Sequence, residues 1–179
     1  MTIHSFAESL ALSKKHEDAP WWPAIYGRAF PGYLSAVSVK NDGWAQRGGI
    51  DRVITLSSGK AVWIDEKVRS KSYGDILLET WSDTLHKKPG WMQKDLACDF
   101  IAYAFIPDSR CYLLPFLTLR AAWLKFGREW IASASKNECG FRFVDSKNHG
   151  YVTRSIAVPI QKLLSAMSEA QIIDWEKNE

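Results

Sequence analysis

Residues 49–69 constrain this chain most, because two short β-forming runs lie there only a few residues apart. Val53, Ile54 and Leu56 supply the first run, and Val62, Trp63 and Ile64 the second. Branched and aromatic side chains of this kind fit a pleated surface. Ser57-Ser58-Gly59 between them predicts a three-residue hairpin loop. Such a loop commonly ends in a left-handed residue, and glycine takes that conformation without steric cost. The loop sets the register: Leu56 pairs with Lys60, Ile54 faces Val62, Val53 faces Trp63, and Asp51 falls opposite Asp65. Side chains alternate along a strand, so Lys67 shares the face of Asp65.

Two carboxylates directly opposite each other on a sheet repel. A divalent cation between them would remove the repulsion, and an all-oxygen site with few protein ligands suits magnesium, which keeps several waters. Lys67 would then orient an attacking water or neutralise charge developing on a phosphate. The alternative is a solvated hairpin end, with Lys67 and Arg69 screening the acids. The pattern alone leaves both open.

The motif continues downstream with Gly74-Asp75-Ile76-Leu77-Leu78-Glu79-Thr80-Trp81, then Lys88-Pro89-Gly90-Trp91, then Ala97-Cys98-Asp99-Phe100-Ile101-Ala102-Tyr103. With Asp51 and Asp65-Glu66-Lys67, this order resembles the PD-(D/E)xK nuclease superfamily, and in particular its small phage and mobile-element members. The similarity is close over residues 46–106 and loose over the C-terminal third. Ile50 stands where the name-giving proline would be, at a position that is variable and apolar in such proteins.

The resemblance implies an α/β fold with a mixed central β-sheet flanked by helices. Its restriction-endonuclease-like core would run helix, three-strand meander, helix, strand, with an unusually short second helix. It further implies a magnesium-dependent nuclease, with manganese as substitute, that hydrolyses DNA. Asp51, Asp65 and the backbone carbonyl of Glu66 would hold the metal, and Lys67 would position or activate the water. Because superfamily members often carry an acid on the first helix near the metal, Glu8 is a candidate, although a capping box at Ser5-Phe6-Ala7-Glu8 explains it without any metal. Glu17 is a second acid without a better claim. Glu79, on a strand next to the hairpin, is either a further ligand or the partner of a lysine. A function of another class is a nucleic-acid-binding or scaffold protein that keeps the fold without cleaving.

Composition is compatible with this and decides little. The chain has 179 residues, a length that suits one domain over residues 1–179, and its 46% hydrophobic content is ample for a core. A net charge of +3 permits nucleic-acid binding without demanding it. The three cysteines form no C-x-x-C pair, which argues against structural zinc, and with no signal peptide they fit a reducing cytoplasm. No apolar run is long enough to span a bilayer, so no membrane partner is expected. DNA is the expected partner, with RNA left open, and a homodimer would let both strands be cut.

Along the rest of the chain, residues 5–16 read as an amphipathic helix and residues 17–45 as irregular, broken by Pro20 and Pro23. Residues 75–81 read as a third strand. Residues 82–96 form a basic loop running into a short helical turn. There Lys87, Lys88 and Lys94 suit a phosphate backbone or a solvated surface, and Gln93 or Lys94 matches a site-orienting position in the superfamily. The near-continuous apolarity of residues 99–106 predicts a strand buried on both faces. Residues 116–131 predict a helix with Phe116, Leu119, Trp123, Phe126 and Trp130 inward. Arg120, Lys125 and Arg128 lie elsewhere on that helix, toward solvent or phosphate. A strand at 151–158 and a helix begun by Pro159 follow, and His149 sits in an intervening turn.

Overall fold

The computed structural model describes residues 4–5, 16 and 19–171. Of the helix expected over residues 5–16, only Ser5 and His16 are described, and Ser5 lies in β1; Glu8 and Glu17 lie outside the described residues. In chain order the elements are β1 (His4–Ser5), α1 (Trp21–Ala29), β2 (Tyr33–Ser38), α2 (Gly43–Arg47), β3 (Arg52–Leu56), β4 (Ala61–Arg69) and β5 (Asp75–Asp83). There follow β6 (Lys88–Pro89), a 3-10 turn (Trp91–Gln93), β7 (Phe100–Phe105), β8 (Arg110–Pro115), α3 (Phe116–Lys136), β9 (Arg142–Lys147), β10 (Val152–Pro159) and α4 (Ile160–Glu169).

The fold is α/β, with mixed sheets flanked by helices. One five-stranded sheet runs β2-β3-β4-β7-β8, and a second runs β1-β9-β10-β5-β6. In the first, β4 and β7 are parallel while β2, β3 and β8 pair antiparallel to their neighbours. The hairpin register is the expected one: Ile54 pairs with Val62, Val53 with Trp63 and Arg52 with Ile64. Gly59 has φ +79°, and the Leu56 N–H donates to the Lys60 carbonyl at 2.9 Å.

Two expectations fail. The three-strand meander is built from β2, β3 and β4, not from the hairpin and β5, because β5 leaves this sheet and pairs with β10 and β6 instead. The place beside β4 is taken by β7, whose buried residues 101–105 need cover on both faces, which a position inside the sheet provides. Residues 17–45, expected to be irregular, hold α1, β2 and α2. Pro20 caps α1 and Pro23 lies in its first turn, where backbone N–H groups have no intrahelical acceptor, so neither proline removes a helical hydrogen bond.

Each face of the first sheet has its own core. On one side Trp22 and Tyr26 of α1 pack against Ile54, Ile64, Ala102 and Ala104. On the other, Ile101, Tyr103 and Phe105 join Ile76 and Leu78 of β5, Ile156 and Val158 of β10, and the apolar faces of α3 and α4. The inward residues of α3 are those its periodicity predicts, with Phe126 only partly covered. Even-numbered residues of β4 therefore face α1, and odd-numbered ones face the second core.

Candidate active site

Asp65 and Lys67 lie on the odd face of β4, at the rim of the second core. Asp51 precedes β3 and is held against β4: its backbone N–H donates to the Ile64 carbonyl at 2.8 Å, and its Oδ2 accepts the Glu66 N–H at 2.8 Å. The side chains of Asp51 and Asp65 meet closely enough to interact directly. Lys67 Nζ donates to Asp65 Oδ1 at 2.5 Å, with the Asp65 side chain 4% exposed and that of Lys67 32% exposed. Two acids and a lysine thus converge on one partly open spot, as the register implies.

The electrostatics follow from burial. Burial pushes the Asp65 carboxyl up, to about 7; the Lys67 ammonium draws it down, and the Asp51 carboxylate pushes it up again. Burial acts on Lys67 in the opposite sense, but the carboxylates of Asp65, Asp51 and Glu79 outweigh it and hold the ammonium above its ordinary value. Cys98 is buried beside the same groups, and burial together with the Asp65 charge raises its thiol to about 12. It is therefore a neutral thiol here and not a soft thiolate ligand.

Glu79 reaches the site from β5. Its Oε1 accepts the Trp91 N–H at 3.2 Å, and its charge supports the Lys67 ammonium. Lys67 Nζ also lies 5.8 Å from the centroid of the Trp91 ring. The 3-10 turn is fastened in place by the Gly90 N–H to the Thr80 carbonyl (2.9 Å), Gln93 Nε2 to the same carbonyl (2.9 Å), and an Arg120 guanidinium N–H to the Met92 carbonyl (2.6 Å). Gly90 has to be glycine: a Cβ there would lie 2.3 Å from the Glu79 carbonyl oxygen.

Three side chains named from the sequence are taken up in structural contacts. The carboxylate of Glu66 points to the opposite face, where Oε1 accepts from Arg52 Nε at 2.6 Å and from the Tyr26 hydroxyl at 2.7 Å, and Oε2 lies 3.2 Å from Lys40 Nζ. It is a buried structural counter-ion, and only its backbone adjoins the acid pair. Gln93, named with Lys94 for a site-orienting position, uses its amide to hold the turn to β5. Arg120, expected toward solvent or phosphate, fastens the same turn. Lys87, Lys88 and Lys94 are exposed, with Lys88 Nζ 3.9 Å from Asp83. Lys88 pairs with Asp83, four residues beyond Glu79 on β5, or about 13 Å away along the strand. His149 is exposed in its turn.

The donor set bears on which metal would fit. Two facing carboxylates beside a neutral thiol suit a hard cation that retains most of its waters, and do not suit a closed zinc site. Among the described residues no group of three or more His, Cys, Asp or Glu side chains is arranged to hold a metal ion. No helix among them is long and apolar enough to cross a membrane. No family model matches this chain, and neither a curated protein nor a solved structure matches it.

Two outcomes are expected. Glu66→Ala takes a buried counter-ion from Arg52 and Lys40 and should lower the unfolding free energy by about 3–5 kcal/mol, measured by urea denaturation. The second is a pH effect in metal-free protein. Asp65 is raised in the fold from its ordinary 3.8, so the folded state holds a proton that the unfolded chain releases. Its stabilising contribution is complete below pH 3.8 and is lost as pH rises through about 7. The stability of Asp65→Asn relative to the parent should therefore climb across that window, read by melting temperatures at stepped pH.

Proposed function

We propose that the protein is a metal-dependent phosphodiesterase that hydrolyses DNA. The observation that carries this reading is the meeting of Asp51 and Asp65 across the hairpin with Lys67 on the same face. The order of these residues and of the segments after them resembles the PD-(D/E)xK nucleases, and the α/β fold is compatible with that.

Asp51 and Asp65, with the backbone carbonyl of Glu66, are the groups that would hold a magnesium ion, or manganese in its place. Such an ion supplies Lewis acidity that offsets charge on the phosphate oxygens. The chain's own groups do the rest. Lys67 stays protonated between the carboxylates, so it orients water by donating a hydrogen bond and does not itself take the proton. Its ammonium would also offset negative charge growing on a phosphate during attack. Trp91 and Glu79 limit where the Lys67 side chain can go. Lys87, Lys88 and Lys94 would guide the phosphate backbone toward the acids. The three free thiols suit a reducing cytoplasm.

One observation favours a second reading. Lys67 already occupies an Asp65 oxygen at 2.5 Å, as it would in a nucleic-acid-binding protein that does not cut.

The test is cleavage of plasmid, linear duplex and single-stranded DNA with magnesium, manganese or calcium. Asp65→Asn and Lys67→Ala should each abolish nearly all cleavage, while Asp65→Asn keeps its nucleic-acid affinity. If Asp65→Asn cuts at the parental rate, the assignment is wrong. Neutralising Lys87, Lys88 and Lys94 together should weaken binding and flatten its salt dependence, by roughly one unit of log-log slope for each phosphate no longer neutralised. An unchanged slope would assign them to ordinary surface.

A further inference from the structure

The odd face of β4 carries one more feature next to the acids. Trp63 lies two residues before Asp65, about 7 Å along the strand on the same face. Its backbone is clamped by Asp99, whose N–H donates to the Trp63 carbonyl at 2.7 Å and whose Oδ2 accepts the Trp63 N–H at 2.8 Å. Against it stands Trp44 of α2, with ring centroids 6.1 Å apart and planes at 89°. Trp44 is 60% exposed, the one tryptophan among the large hydrophobics left exposed in the described residues. An edge-on arrangement covers little of either ring face. The pair forms a corner in which a flat ring can stack on one indole and meet the other edge-on.

Two further facts give this corner a chemical character. Asp42 caps α2, accepting the N–H groups of Trp44 and Ala45 at 2.8 Å each, so Trp44 is carried on a fixed backbone. Arg47, also exposed, follows Trp44 at a three-residue interval and so projects from the same side of α2. An aromatic surface for a base, a guanidinium for the attached phosphate and an acid pair about 7 Å away along the strand are laid out in succession. A base in an intact duplex offers no open face to stack on, whereas an unpaired base does.

We infer that Trp44 and Trp63 form a stacking site for an unpaired nucleobase adjoining the phosphate at Asp51 and Asp65, so that the preferred substrate is single-stranded or frayed nucleic acid. The inference rests on the nuclease reading for its substrate, and binding to non-cleaving protein tests it separately. Asp65→Asn protein is titrated with a fluorescein-labelled single-stranded deoxyoligonucleotide and with a blunt duplex of the same length. Adding Trp44→Ala should weaken single-strand binding roughly ten- to hundred-fold and leave duplex binding unchanged. Trp44→Phe, which retains a ring, should restore most of the affinity. In the cleaving protein, Trp44→Ala should raise KM on single strands far more than it lowers kcat. Single-strand affinity that is indifferent to Trp44→Ala, or equal weakening on single strand and duplex, would overturn the inference while leaving the nuclease reading intact. Binding that depends on Trp44 in a protein whose parent cuts nothing would uphold the stacking site and overturn the nuclease reading.

Discussion

Strand β4 runs through the middle of its sheet carrying Asp65, Glu66 and Lys67 in succession, and much of the surrounding structure answers that fact. Charges removed from water cost several kcal/mol each unless they are paired and hydrogen-bonded. Alternation sends Glu66 to one face and Asp65 with Lys67 to the other, so each face needs its own compensation. Toward α1, Arg52, Lys40 and Tyr26 surround Glu66. This fixes α1 over the sheet, since Tyr26 is fully buried and donates its hydroxyl to the carboxylate. The apolar packing of α1 would tolerate sliding; the hydroxyl does not.

The second face depends on the segment between β5 and β7. A chain leaving β5 for the other sheet would leave Lys67 open to water. The Lys88–Trp91 segment turns back along β5 instead, and Gly90 allows a backbone approach that no side chain would permit. Trp91 then covers part of Lys67, and its N–H holds Glu79 in place. Arg120 ties this turn to α3, so the wall of the site is anchored to the longest helix described.

What is legible in the sequence is local. Loop length and Gly59 determine a hairpin register within a few residues, and the acid pair with its lysine follows from that register. The apolar run at residues 100–105 likewise announces a strand covered on both faces. The meander takes β2 and not β5 as its third strand because strand choice is non-local: nothing within residues 49–81 says that β7 competes better than β5 for the side of β4. Pro20 and Pro23 would break a helix interior, but a first turn has no such bonds to lose. Glu66 and Trp63 are legible from the same alternation that places Lys67. Odd and even positions of β4 separate the structural acid from the site acids and put Trp63 beside them. Arg120 and Gln93 carry no such signal, since each meets its backbone carbonyl only through tertiary packing.

The two faces of β4 differ in how completely their charge is matched. Glu66 has two cations and a hydroxyl close at hand. On the other side, Asp51, Asp65 and Glu79 all bear on the ammonium of Lys67. Burial and Asp51 together raise the Asp65 carboxyl toward about 7 despite the lysine, so the excess negative charge makes it readier to hold a proton. A proton removes one unit of charge; a divalent cation in its place would remove two and leave Lys67 balanced by the remaining acid. A fold selected only for stability would more simply have an apolar residue at Asp65, because a well-packed hydrophobic group is often as stabilising as a buried ion pair. The mismatch is confined to the face that is partly open, adjoins the exposed Trp44 of α2 through Trp63 and is walled by a glycine-dependent turn. It is thus the part of β4 whose negative charge the neighbouring cation matches least completely.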